Sequence, residues 1–506
     1  MTKKDKLFEL VDSMTMSEKR YFKVFAGRHT IGKQNNYIIL FNEVEKMRIY
    51  DQDKLQNRLE RQDISPKHLS SDKNYLYNLV LRSLSSFHSG KSVGLQIKEI
   101  LHQAEVLYDR GLHEHCLKIL HKAKSLTGGN NQNPLLPEIE KWEYLARSAQ
   151  ADTGAQYKSL KNSLTTLNLL KNENTYLLIL QELREYNPQK RQVRTQEMEE
   201  NLDKIMSASL LSSEKNAGSF LAKLIHWRIH ALYHFIKDET QKSMIAAQKA
   251  IDLIQSQKKY LTEYAVEYAN ARFQMLLLSR NQPDETFHSM LFEFRSIPDK
   301  LTKAHPRTKA IIYTNSYFAE MSRLTDQKRF EEAFDLLPAM ESMFDTFHED
   351  MTQEMKLAYH YFFSYTNLVN GQAKRALASS NTILNEFESL SESHFYTRAQ
   401  LLNLAIHYAL GNNKYLKYVC ESTLRTLNRE NSLFKIEDFF IKSMKKLSIK
   451  SSPNDRQALL KKCLHGLNEI GTDRYESRAF IAFNIQVWLE LRILDVPPRI
   501  PSHPHL

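Results

Sequence analysis

Three histidines, His226, His230 and His234, recur at i, i+4 and i+8. On a helix that spacing lines up imidazoles that could be presented to a divalent metal ion. No carboxylate completes an H-E-x-x-H arrangement around them, and His407 repeats the position of His234 in its own segment. The expectation is core-edge histidines and no metal site. The run His113-Glu114-His115-Cys116 reads the same way, because Cys116 falls on a packing position. Gly90-Lys91-Ser92 suggests a phosphate loop, but such a loop needs a glycine five positions before the Gly-Lys pair, following a strand. Here that position is Ser85, and the preceding LYNLVLRSL has a helical pattern. No G-x-S-x-G, kinase set or paired-glycine fingerprint occurs, and the carboxylates are spread over helix faces. A Cys–His pair that meets only in the fold stays open. The reading is a non-enzyme without catalytic residues, metal or cofactor.

Two features point to binding. Residues 53–84, DKLQNRLERQDISPKHLSSDKNYLYNLVLRSL, can be read as two helices with a turn at Asp63–Ser65 and a recognition-like helix after Pro66. A DNA-binding helix-turn-helix would use this basic region to neutralise phosphates. However, Asn57 and Arg61 stand where the tight turn usually takes a small residue and Gly. A helical layer covering one end of the fold is therefore the favoured reading. Basic stretches also occur at 188–194 (PQKRQVR) and 442–462, where Lys442, Lys445, Lys446, Lys450, Arg456, Lys461 and Lys462 face Asp455 alone. Gathered on one concave surface, such runs would suit an acidic peptide or nucleic acid.

The elements that must position these residues follow from composition. The 506 residues carry 70 Lys+Arg and 59 Asp+Glu, a net charge of +11, and 42% are hydrophobic, which excludes a mostly disordered chain. No apolar run approaches the roughly 20 residues of a membrane span. Thirteen Gly and thirteen Pro are about half the usual share, so long helices are expected rather than many short strands. Cys116, Cys420 and Cys463 are far apart and form no C-x-x-C pair. That argues against a disulfide framework and for a reducing, cytoplasmic setting. Near the N-terminus, Thr15 and Glu18 form a capping box before SEKRYFKVFA. Further helices are expected over about 36–48, 52–61 and from Pro66 through Leu76, Leu79, Leu84 and Phe87. Residues 1–95 hold a charge balance of +6, over half the net charge.

The remaining chain repeats itself. In 104–126, AEVLYDRGLHEHCLKILHKAKSL, a helix ends near Tyr108, Gly111 sits in the turn, and Cys116, Leu120 and Ala123 share one face of a second helix. Equivalent second-helix anchors fall at Ser243, Ala333, Ala376 and Leu416. The last three are spaced by 43 and 40 residues, and the longer gaps divide into units of about 42 and 45. Weaker units place anchors at Leu160 and Leu164, at Leu202 and Met206, at Thr286 and at Ala458.

These units resemble the tetratricopeptide repeat family, in a degenerate form with a longer unit. Trp227, Ala231, Ala247 and Ala250 match its Trp, small, small and Ala positions, and Gly111 and Cys116 its turn Gly and first small position. The resemblance implies an all-α, right-handed solenoid of antiparallel helix pairs over 96–470. A helical region over 1–95, a closing helix over 471–496 and a Pro-rich tail over 497–506 complete the chain. It also implies a groove lined by first-helix residues: Arg228, Leu232 and Phe235 after Trp227, then Tyr361, Tyr365 and Leu368, with Tyr108 and Tyr408 from two further copies. The expected function is a non-enzymatic scaffold binding a protein or extended peptide. A DNA-binding regulator or peptide-responsive sensor is the alternative.

Overall fold

The computed structural model describes residues 5–27, 36–62, 64–88, 90, 93–127, 134–186, 193, 195–301, 306–391, 393–429, 433–449, 452–477 and 485–494. Among these residues the regular structure is helical throughout, with no strand. No helix among them is long and apolar enough to cross a membrane. The phosphate-loop positions Lys91 and Ser92, most of 188–194 and the Pro-rich tail lie outside the described residues. The chain divides into two compact units, Met1–Lys171 and Asn172–Leu506.

The first unit opens with α1 (Lys6–Ser13), α2 (Met16–Gly27), α3 (Asn36–Glu45), α4 (Gln52–Glu60) and α5 (Leu69–His88). The capping box forms: Thr15 N donates to Glu18 Oε2 at 2.7 Å, and Glu18 N donates back to Thr15 Oγ1 at 3.3 Å. Pro66–His68 make a 3-10 turn before α5, so the long helix starts three residues later than expected. Leu7, Phe22, Phe41, Leu55 and Leu76 meet in one core. A second core joins α6 (Val93–Asp109), α7 (His113–Leu126) and α8 (Leu136–Ala149) through Ala104, Cys116, Leu120 and Ile139. The boundary expected near residue 95 thus lies between two cores of one unit. The helix α9 (Thr153–Arg184) runs past the unit boundary.

The second unit continues with α10 (Gln196–Met206), α11 (Phe220–Ile236), α12 (Thr240–Gln255), α13 (Lys258–Glu263), α14 (Ala265–Leu278), α15 (Asp284–Arg295) and α16 (Ile297–Lys300). Next come α17 (Pro306–Asp326), α18 (Phe330–Asp335), α19 (Leu337–Phe347), α20 (Gln353–Val369) and α21 (Ala373–Glu386). The last are α22 (His394–Ala409), α23 (Asn413–Arg429), α24 (Lys435–Leu447), α25 (Pro453–Ile470) and α26 (Ile485–Ile493). From α20 to α26 each helix packs on the next. Helices two or three apart in the order also touch: α14 with α17, α17 with α20, α20 with α22, and α22 with α24.

One turn recurs in both units. At Gly111, Ala151, Asp238, Lys328, Gly371 and Gly411 the backbone adopts a φ between 58 and 81°. In each case that residue's N–H reaches back three residues and the next N–H reaches back five. In the last copy these are Gly411 N to Tyr408 O and Asn412 N to His407 O, both 3.0 Å. This is the Schellman ending, which satisfies carbonyls left over at a helix C-terminus. The following helix makes its first backbone bond from Cys116, Ser243, Ala333, Ala376 or Leu416, each five residues past the positive-φ residue. All five of these anchors are fully buried.

The weaker anchors behave differently. Leu202 is buried, but Leu160, Leu164, Thr286 and Ala458 are exposed, with Phe287 and Leu460 turned inward beside two of them. The turn between α14 and α15 is built without a positive φ among its residues. There the buried Arg323 of α17 donates to Arg280 O at 2.5 Å and Gln282 O at 2.8 Å, and pairs with Asp284. Of the closing helix expected over 471–496, residues 478–484 and 495–496 lie outside the described ones. Asp473 Oδ1 accepts from Tyr475 N and Glu476 N, which holds those residues in a turn, and α26 is described over Ile485–Ile493. All three cysteines are free and buried.

Candidate interaction surface

The histidine line is packed rather than open. His226 is buried, and its ring lies 4.6 Å from that of His230 and 6.0 Å from that of Tyr176. Burial, with help from the neighbouring charges of His230 and Lys249, depresses its pKa to about 4. His230 faces Leu211 O at 3.3 Å. His234 Nδ1 lies 2.6 Å from Glu239 Oε2, and His407 Nδ1 lies 3.2 Å from Asn412 Nδ2. Both therefore tie the end of a first helix to the residue just past its Schellman turn. Among the described residues no cluster of His, Cys, Asp and Glu could hold a metal ion.

The residues expected to line a groove separate into two groups. Tyr361, Tyr365 and Leu368 are only 1, 4 and 1% exposed, so they are core residues and offer no surface to a ligand. The rings of Tyr361 and Tyr365 stack 6.4 Å apart, and Tyr361 also meets Phe395. The expectation fails here because the first helices pack against one another, so the face opposite the second helix is covered. Tyr408, half-buried, packs edge-on to Trp488, and Tyr108, half-buried in the first unit, packs on Trp142 and His113. Arg228, Leu232 and Phe235 share one face of α11 and remain partly open.

Two ion pairs lie at the two ends of α14, partly open to water. Arg228 Nη1 lies 4.0 Å from Glu267 Oε1 on α14. Burial lowers the guanidinium's pKa, Arg184 adds to this, and Glu267 opposes it. Arg280 Nε lies 3.7 Å from Asp326 Oδ2 at the end of α17. The Asp326 carboxyl is raised by desolvation, against the pull of Arg280, although 37% of its side chain is open to water. Neighbours therefore crowd this carboxyl without covering it.

Sequence reasoning missed what continues inward from Asp326. The Tyr365 phenol is held above its ordinary range by burial and then by Tyr361 and Asp326. The Tyr361 phenol is raised by burial and opposed by Arg398, whose own pKa is pushed down to about 10 by burial, against Tyr361 and Glu437. Glu437 accepts from Phe434 N at 2.9 Å and Glu476 from Ile436 N at 3.1 Å, so two buried carboxylates meet the N-terminus of α24. Arg280, Asp326, Tyr365, Tyr361, Arg398 and Glu437 thus form a polar row from an open end to a buried one. No motif announces it, because its members come from five separate segments. No protein-family model, curated protein or solved structure matches the chain.

Proposed function

We propose that this chain is a non-enzymatic cytoplasmic scaffold that holds an extended segment of a partner protein. In this reading the successive helix pairs form a right-handed solenoid, related to the tetratricopeptide pattern but with a longer unit. The recurring Schellman turn and the contacts between helices two or three apart support that architecture. The binding reading is carried by the partly open face of α11 around Arg228. Arg228 and Asp326 are each partly open to water yet desolvated beside an opposite charge, and Leu232 and Phe235 lie half-covered on the same helix as Arg228. Such ground favours a ligand that supplies both charge and apolar contact. The groove is accordingly assigned to Arg228, Leu232 and Phe235, without the buried tyrosines.

The test is affinity capture of the tagged chain from its native lysate, with and without nuclease, beside a variant carrying Arg228→Glu and Phe235→Ala. A stoichiometric protein retained after nuclease and lost with the variant supports the reading. Retention by both chains overturns this placement of the groove.

A DNA-binding regulator is the second reading. Ser71, Asn74, Asn78 and Arg82 are exposed on one face of α5, with Lys67 exposed in the turn before it. Nucleic acid recovered at low salt, and released as salt rises with a slope of about one per phosphate contact, would bring it forward.

A further inference from the structure

The first half of α9, as far as Leu167, turns its side chains the wrong way for an isolated surface helix. Ser159 and Thr166 are buried, while Tyr157, Leu160, Leu164 and Leu167 are exposed at 70, 51, 61 and 49%. Small polar groups face inward and large apolar ones face water. The four exposed residues are spaced by three, four and three, the a/d cadence with which one helix receives another. Beside them Pro137 and Tyr144 of α8 join Leu160, Ser163 and Leu167 in walling a cleft of about 380 Å³. A stripe with an adjoining cleft accepts both the seam of a second helix and one of its larger side chains.

Charge decides what kind of helix. Residues 153–171 contain Lys158, Lys161 and Lys171 and not one acid, while on the cleft wall Lys141 stands beside Glu138 and Glu140, the latter paired with Lys124. A second copy of the chain laid on this stripe would set lysine against lysine. We propose that the exposed face of α9, from Tyr157 to Leu167, docks an amphipathic helix of a partner protein, with an apolar seam flanked by carboxylates. This docking does not rest on the reading of Arg228 and its neighbours.

The probe is a synthetic helix of about four heptads, with Leu at a and d and Glu at e and g, titrated against the full chain by fluorescence anisotropy. A twin peptide with Lys in place of Glu is the control. Binding of the acidic peptide is expected to weaken as salt rises and to fall at least about tenfold in Leu164→Glu and Leu160→Glu. Circular dichroism and melting should stay as in the parent chain, since both positions face solvent. Undiminished binding by the variants, equal binding of the two peptides, or no binding of either overturns the proposal. Sedimentation equilibrium closes the remaining door: a parent dimer that Leu164→Glu converts to monomer would identify a second copy as the occupant.

Discussion

Ser243 donates its hydroxyl to the backbone carbonyl of Ala231, 2.8 Å away on the facing helix, and Ser364 makes the same bond in reverse, to Ala376 at 2.8 Å. Each pair is twelve residues apart and brackets a Schellman turn. One crossing point is therefore built twice with Ser and Ala exchanged between the helices. What the crossing requires is small volume, and the hydroxyl adds a bond wherever it happens to sit. Ser364→Ala should cost about 0.5–1.5 kcal/mol by urea unfolding, the ordinary value of one buried hydrogen bond. Ser364→Val should cost more, about 1–3 kcal/mol, by forcing the helices apart. Equal costs would show that volume is not the constraint.

Gly411 separates conformation from space. A Cβ there would meet nothing within 4 Å, yet φ is +73°. Gly411→Ala should therefore cost about 1–2 kcal/mol purely through the left-handed backbone. Lys328 already carries a side chain at φ 59°. Lys328→Gly should raise the urea midpoint slightly, since relief of that strain exceeds the roughly 0.5–1 kcal/mol of extra chain entropy.

Arg323 is the fastening of the α14–α15 turn. Its guanidinium satisfies two backbone carbonyls, pairs with Asp284 and lies 4.5 Å over the Phe287 ring. Arg323→Met should lose about 3–5 kcal/mol, because carbonyls and carboxylate are left behind. Arg323→Lys should recover little of it, since one ammonium cannot reproduce the planar fork. Thermal melts of both variants decide the point.

Acid should loosen the fold before the carboxylates titrate. His226 and His360 both have folded-state pKa values near 4, lowered first by burial, against an ordinary value of 6.5. They are neutral when folded and take up protons on unfolding. Their contribution is complete above about pH 6.5 and drains away as pH falls toward 4. At pH 5 each should have cost on the order of 2 kcal/mol. His360 packs between Phe344 and Phe387, so His360→Leu should flatten the fall in urea midpoint between pH 7 and pH 5. An unchanged slope would mean that the imidazole titrates alike in the folded and the unfolded chain.

The helical character and five buried positions just past a turn, Cys116, Ser243, Ala333, Ala376 and Leu416, were legible because both obey local rules. Cys116, Ser243 and Ala376 are small or compact and sit at a fixed distance from a turn. Glycine marks that turn at 111, 371 and 411, but Ala151, Asp238 and Lys328 hold the same conformation without it, so those copies carried no punctuation. The spacing around Leu160 misled for the opposite reason. A leucine stripe reads as core from sequence, whichever face the rest of the molecule covers. Tyr361 and Tyr365 misled likewise, because whether first helices touch depends on how tightly successive pairs approach, which no single segment encodes. The row from Asp326 to Glu437 was out of reach, since distant segments must fold before its members become neighbours.

The buried thiols give the chain its own clock. Burial raises Cys116, pushes Cys420 up to about 12 and Cys463 up to about 11, so almost no thiolate exists in the closed state at neutral pH. An alkylating reagent can then react only during an opening, and the rate at each cysteine counts how often its surroundings come apart. Cys116 times the first unit, while Cys420 and Cys463 time two successive helix pairs of the second. A ligand that braces one region would slow one thiol and leave the others running at their former pace.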